Sequence, residues 1–419
     1  MKAILVGVKL DNIQINDFED EMSELKNLSE ACDIEVVDSI KQNLDSFNPV
    51  TYIGSGKIEE IKMSVEANEA DVVICNDELT PLQISKLSEK IDVQIYDRTY
   101  LILEIFKRRA KTKEAILQVE IASLTYLLPR LAGMRQGLSR QRGAGGGFAH
   151  GRGAGETKLE LDRRINSDKI SQLKKELKEL EKVRRVQREK RTASDLAKVC
   201  LVGYTNSGKS TLMNKFLEIT NSKDEKKVFQ KDMLFATLET SSRKIDYKNG
   251  GFILTDTVGF IEKLPHNLIE AFKSTLEEIK ECDLIIHVVD GSNSKHLSQI
   301  KATNEVLNEL DVKDIPVIYA FNKIDKIDNY LYIPNEFPEA IRISALNGYN
   351  IDELLKLIFK KTYGEYESVE MLIPYGMEND YYKIKNKSII ETTSYEEKGI
   401  YVKCQINNEV KNKYGKYII

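Results

Sequence analysis

At 419 residues the chain is too long for one ordinary hydrophobic core, so two to four domains are expected. A formal charge of -4, from 62 Lys and Arg against 66 Asp and Glu, excludes a protein that binds nucleic acid through an overall basic surface and leaves that role to a local segment. Cys32, Cys75, Cys200, Cys282 and Cys404 form no CxxC pair, the four histidines show no metal spacing, and no apolar run is long enough to span a bilayer. The reading is a cytoplasmic protein with reduced thiols, no zinc module and no signal peptide.

Residues 1–110 alternate apolar runs with helical patterns. KAILVGV, IEVVDSI, DVVIC and VQIYD read as strands, separated and followed by helices from about Asp17 to Cys32, after Gly56, from Thr80 and from about Arg98. Strand and helix in turn imply βαβ units, hence an N-terminal α/β domain with a mostly parallel sheet. Within it YIGSGKIEEI puts Gly54, Gly56 and Lys57 at a helix start, where an anion could bind. The four-residue spacer of a phosphate loop and the Ser or Thr after its Lys are missing. The stretch is either a second nucleotide site or a glycine turn.

Residues 111–195 read as a helical hairpin. Ile116, Val119, Ala122 and Leu127 fall on one face before Pro129 ends the run, and Ile170, Leu173, Leu177, Leu180, Val183 and Val186 form a narrow seam on a charged helix from about Thr157 to Arg191. The two helices would pack antiparallel. Between them, residues 130–155 hold five arginines (Arg130, Arg135, Arg140, Arg142, Arg152), nine glycines and no acid. Guanidinium groups on a glycine-rich backbone suit RNA phosphates, the alternative being a flexible basic linker.

Residues 196–362 carry the parts of a GTPase domain in order. An apolar run ending at Val202 leads into Gly203, Tyr204, Thr205, Asn206, Ser207, Gly208, Lys209 and Ser210, with a helical pattern from Thr211. In such a P-loop the backbone N–H groups turn inward around a polyphosphate, Lys209 reaches the β- and γ-phosphates, and Ser210 ligates Mg²⁺. FATLETS, opening at Phe235, offers Thr237 as the switch residue that closes on the metal within a mobile 221–240 stretch. ILTDTVG supplies Asp256 for Mg²⁺, through water, and the Gly259 N–H for the γ-phosphate.

Asn322, Lys323 and Asp325 form an NKxD pattern, in which Asp325 accepts from the guanine N1 and N2 donors and Lys323 covers the base, with Ser344 and Ala345 completing the pocket. Lys209, Thr237 and Gly259 are the expected catalytic groups. Many GTPases follow the DxxG glycine with a water-orienting Gln, whereas this chain has Phe260, so slow intrinsic hydrolysis is expected. Asn206 sits where a subset of GTPases binds K⁺, which makes K⁺ a candidate second cation. The tail, 363–419, reads as strands VEMLIPY, SIIETTSY and GIYVKCQI in a small C-terminal α/β domain.

YIGSGKIEEI, LTYLLPRL, the Gly/Arg stretch entering GETKLELDRR, GYTNSGKSTLMN, FATLE and DTVGFI together resemble the HflX GTPases along nearly the whole chain. The resemblance implies a GTPase, which on the readings above is cytoplasmic and uses Mg²⁺, and a monomer is expected. Such a factor binds the large ribosomal subunit and its rRNA in the GTP state, splits or rescues stalled ribosomes under stress, and leaves on hydrolysis to GDP. It also implies ATP use by the N-terminal domain. Where the family loop closes in RGPGETK, this chain has Ala154 in place of the proline.

Overall fold

The computed structural model describes residues 1–130, 152–191, 196–220, 235, 241–247, 250–261, 263, 268, 276–312, 314–327, 331–337 and 339–419; within 152–191 it describes side chains at 160–180 and 182. Arg135, Arg140, Arg142 and Thr237 lie outside the described residues, and of Arg152 only the backbone is described. The chain divides into two compact units, Met1–Lys182 with Lys263–Phe272, and Val183–Glu262 with Lys273–Ile419.

In the first unit β1 (Lys2–Leu10), α1 (Ile15–Ala31), β2 (Glu35–Leu44), α2 (Ser55–Asn68), β3 (Val72–Cys75), α3 (Pro81–Ile91), β4 (Gln94–Asp97) and α4 (Arg98–Arg109) alternate as the sequence predicts. The sheet has the order β2-β1-β3-β4 and every pairing is parallel. β1 and β3 lie inside it, so Ala3 to Val8 and Val72 to Cys75 are buried and read as unbroken apolar runs. Polar residues fix the helix starts. Thr80 and Gln83 make a reciprocal capping box with Pro81 at the first helical position of α3, and Asp97 caps α4 by accepting from the Tyr100 N–H at 2.9 Å.

α5 (Lys113–Leu127) and α6 (Arg152–Arg191) form the antiparallel hairpin. Leu117, Ile121 and Leu124 meet Ile170, Leu173, Leu177 and Leu180, and the ion pairs Lys113–Glu176 (2.6 Å) and Lys169–Glu120 (2.5 Å) run in opposite order along the two helices. The expected α5 face is corrected. Ile116 is 47% exposed, because the side facing α6 follows i, i+4, i+7 from Leu117, while Val119, Ala122 and Tyr126 are buried on a second side.

Arg130 is also corrected. It is 6% exposed, with its guanidinium donating to the carbonyls of Tyr126 (2.9 Å) and Leu79 (2.7 Å), pairing with Glu78 (3.1 Å) and stacking on the Tyr126 ring. It anchors the end of α5 and has no free fork for RNA. A guanidinium buried with this set of partners is a structural fixture.

The second unit begins with β5 (Ala197–Val202), α7 (Lys209–Ile219), β6 (Ser241–Tyr247), β7 (Gly250–Asp256), β8 (Leu284–Asp290), α8 (His296–Glu309), β9 (Val317–Asn322), β10 (Ala340–Arg342) and α9 (Ile351–Tyr363). The sheet order is β10-β9-β8-β5-β7-β6, parallel except for the β6–β7 pairing. β5 is central and Val199 to Val202 are wholly buried, so the loop that follows it is held on both sides. β11 (Glu367–Ile373), α10 (Glu378–Lys387), β12 (Ile389–Glu396), β13 (Gly399–Ile406) and α11 (Asn408–Tyr414) complete the chain, with an antiparallel sheet in the order β11-β13-β12 around its own apolar cluster.

One expectation about the thiols fails. Cys200 on β5 and Cys282 ahead of β8 are joined by a disulfide with Cα atoms 6.1 Å apart, while Cys32, Cys75 and Cys404 are free. The β5–β8 pairing sets Val199 opposite Leu284, which carries the two cysteines to neighbouring positions despite their separation of 82 residues.

Candidate guanine-nucleotide site

The site grows from the ends of β5, β7, β8 and β9, the carboxyl edge of a parallel sheet where ligands of open α/β folds bind. After Val202 the chain turns at Gly203, whose φ is +146° and where an added Cβ would lie 2.2 Å from the Val288 carbonyl oxygen. Only glycine fits there. Gly208, with φ +96°, stands at the start of α7, and a Cβ on it would lie 2.3 Å from Asn322 Nδ2. The loop is therefore built against β8 on one side and Asn322 on the other.

Lys209 is buried, and its ammonium donates to the carbonyls of Gly203 (2.9 Å) and Tyr204 (2.8 Å). Burial is the main force lowering its pKa to about 8, helped by Lys323 and opposed by Asp256. The Ser210 hydroxyl donates to Asp256 Oδ2 at 2.7 Å, and Asp256 is fully buried at the end of β7. A hydroxyl and a carboxylate meeting at the mouth of the loop are hard oxygen donors that fit Mg²⁺.

Beyond Asp256, Thr257 donates to the Leu201 carbonyl (2.6 Å), and Gly259 lies so close that a Cβ would be 2.9 Å from Thr205 Cα and 3.2 Å from Lys209 Nζ. Phe260 then pairs with the loop, its N–H donating to the Gly203 carbonyl (3.1 Å) and its carbonyl accepting from the Thr205 N–H (2.7 Å).

On the base side Asn322 donates to the Ser207 carbonyl (2.9 Å) and accepts from the Ala345 N–H (2.9 Å). Ser344 donates to Asp325 Oδ1 at 2.5 Å and in turn accepts from the Asn347 N–H. Lys323, held at φ +62°, pairs with Asp290 at 2.8 Å. Sequence reading missed Asp290, although its place at the end of β8 was a usable signal. The structure thus brings together Gly203 to Ser210, Asp256, Gly259, Asn322, Lys323, Asp325, Ser344 and Ala345. Thr211 follows in the first turn of α7, Asn206 is exposed at φ +59°, and Phe235 is buried at φ +53°.

A phosphate loop between β5 and α7, a buried acidic residue at the end of β7 and an NKxD loop after β9 define a P-loop GTPase. Three family descriptions match in succession: "GTP-binding GTPase N-terminal" over residues 19–107, "GTP-binding GTPase Middle Region" over 109–191 and "50S ribosome-binding GTPase" over 198–323. The chain is 43% identical to the GTPase HflX of Caldanaerobacter subterraneus subsp. tengcongensis, covering 100% of this chain and 94% of that protein. It is 37% identical to the GTPase HflX of Escherichia coli, covering 89% and 85%. A crystal structure of a GTP-binding protein from Sulfolobus solfataricus in complex with GDP is 26% identical over 86% of this chain and 99% of that one, with a TM-score of 0.44. The chain belongs to the HflX family of GTPases.

Proposed function

We propose that this GTPase binds the large ribosomal subunit and its rRNA in the GTP state, splits or rescues stalled ribosomes, and is released when GTP is hydrolysed to GDP. The observation that carries the reading is Asn322, whose amide ties the phosphate loop to the base-pocket loop and so lets one ligand, a guanine nucleotide, engage both. The match of 198–323 to a ribosome-binding GTPase family supports the partner.

In this reading Lys209 leaves the Gly203 and Tyr204 carbonyls for the β- and γ-phosphate oxygens, and the loop N–H groups cradle the phosphates. Magnesium, held by Ser210 and Asp256, supplies charge neutralisation on the phosphates. The Gly259 N–H donates to the γ-phosphate, Thr237 closes the site, and Phe235 and Tyr204 flank it. Asp325 accepts from the guanine N1 and N2 donors, which adenine lacks; leaving that carboxylate unpaired gives a preference of up to about 10⁴-fold.

Three finer assignments belong to the same reading. Arg135, Arg140 and Arg142, with Arg152, contact rRNA from the hairpin tip. Asn206 holds K⁺, so turnover is faster in K⁺ than in Na⁺ buffer. The Gly54–Lys57 turn serves ATP; there α2 begins with the Gly54 N–H on Gln42 Oε1 (3.0 Å) and Lys57 paired with Glu60 (2.7 Å), partners that a phosphate would have to replace. The factor works as a cytoplasmic monomer, and no helix among the described residues is long and apolar enough to cross a membrane.

Light scattering of intact ribosomes tests the proposal. Addition of the protein with GTP or a non-hydrolysable analogue should lower the scattered intensity, and addition with GDP should not. Equal traces with both nucleotides would reject a GTP-driven action on ribosomes.

A further inference from the structure

The cytoplasm keeps thiols reduced, and the disulfides that do form there are as a rule transient ones that sense or carry redox change. In a chain read as cytoplasmic, the Cys200–Cys282 bond falls in that class. Cys200 stands on the central strand β5, whose last residue, Val202, leads into Gly203 of the phosphate loop. Cys282 closes the 3₁₀ turn Glu277–Glu281 ahead of β8.

Residues 261–281 are thereby held at both ends to the same strand and its loop. At the start, Phe260 exchanges two backbone hydrogen bonds with Gly203 and Thr205. At the far end the β5–β8 ladder reaches back to Asp283, whose N–H donates to the Lys198 carbonyl (2.8 Å), and the disulfide extends that hold to Cys282 and the turn before it. The surroundings suit the opened pair as well. The Glu278 carbonyl oxygen lies 3.4 Å from Cys282 Sγ and 3.9 Å from Cys200 Sγ, so one acceptor stands ready for either thiol once the bond is reduced. Cys282 is the outer sulfur, 9% exposed against 0% for Cys200. The other thiols are poor competitors for an oxidant. Burial pushes Cys32 up to about 11, Cys404 up to about 12 and Cys75 well above its ordinary value, so none of them supplies thiolate near neutral pH.

We propose that Cys200 and Cys282 form a reversible redox pair, closed by a hydroperoxide and opened by a dithiol reductant, whose closed form slows GTP turnover by restraining the stretch that follows Gly259. The inference rests on the reading of the chain as a cytoplasmic GTPase. In closing, the Cys282 thiolate attacks a peroxide oxygen, the O–O bond breaks, and a sulfenic acid forms with release of water. The Cys200 thiolate then attacks that sulfur, the S–S bond forms, and the hydroxyl leaves with a proton as a second water. The two thiols give up two electrons and two protons, and one hydrogen peroxide becomes two waters. In opening, the dithiol takes over the disulfide by exchange.

The test uses the full chain in reduced form, treated with hydrogen peroxide and then with dithiothreitol in the absence of denaturant. Free thiols, counted after quenching and unfolding, should fall from five to three on oxidation and return to five on reduction, and Cys282→Ala should lose none. The oxidised chain should hydrolyse GTP about three-fold or more slowly than the reduced chain at unchanged GDP affinity, while Cys282→Ala keeps the reduced rate under peroxide. A bond that dithiothreitol opens only in denaturant would overturn the redox pair and make the disulfide a structural one, and thiol loss in Cys282→Ala would overturn it too. Equal hydrolysis rates in the two forms would overturn its control of turnover. Absence of turnover in both forms would instead overturn the GTPase reading, and the thiol counts would still decide the pair.

Discussion

The side-chain amide of Asn322 donates to the Ser207 carbonyl at 2.9 Å, joining the last residue of β9 to the phosphate loop that follows β5. Its oxygen accepts from the Ala345 N–H at the same distance, so one residue 2% exposed carries both halves of the nucleotide site. Asn322→Ala should therefore weaken both GDP and GTP binding by about ten-fold or more, because two buried backbone groups lose their partner. Fluorescence titration with a labelled nucleotide checks this. Unchanged affinity would show that the two loops hold their places without it.

Gly203 occupies a backbone conformation that other residues adopt with strain, against the Val288 carbonyl. Gly203→Ala forces that carbonyl or the loop to move, at a cost of about 1–3 kcal/mol. A lower melting temperature together with lost nucleotide binding is expected. A variant that keeps both would mean that β8 yields without disturbing the loop.

His287 lies on β8, 1% exposed, with Nδ1 unpartnered among the described residues, and burial, with a smaller contribution from Lys209, lowers its pKa to about 3. The unfolded chain binds this proton near the ordinary value of about 6.5, so the neutral folded form loses relative stability as pH falls from there toward 3. The slope is about 1.4 kcal/mol per pH unit over that window and vanishes above it. Urea unfolding of the wild type and of His287→Leu at a series of acidic pH values should show a steeper loss in the wild type. Parallel curves would place a different group at the origin of the acid sensitivity.

The Cys200–Cys282 bond leaves Cys32, Cys75 and Cys404 as the free thiols. Protein denatured without reductant should titrate three thiols, rising to the five of the sequence after reduction. Five thiols before reduction would contradict the bond.

The features legible in the sequence are those set by local spacing. The phosphate loop announces itself because strand, glycine turn and helix start are contiguous, and the hairpin because Ile170, Leu173, Leu177 and Leu180 repeat at helical spacing. The features that were hidden depend on partners remote in sequence. Arg130 looked like one of five similar arginines, and only Glu78 and the Leu79 carbonyl, brought to it by the fold, make it internal. The Cys200–Cys282 link and the Lys323–Asp290 pair are products of strand order, which no local pattern states.

The central claim is that the nucleotide state gates attachment to the large ribosomal subunit, and sedimentation tests it most directly. The purified chain is centrifuged with isolated large or small subunits, with a non-hydrolysable GTP analogue and with GDP in parallel. The account predicts co-migration with the large subunit under the analogue and none under GDP. Binding that is equal in the two nucleotide states, or absent from both, would contradict it.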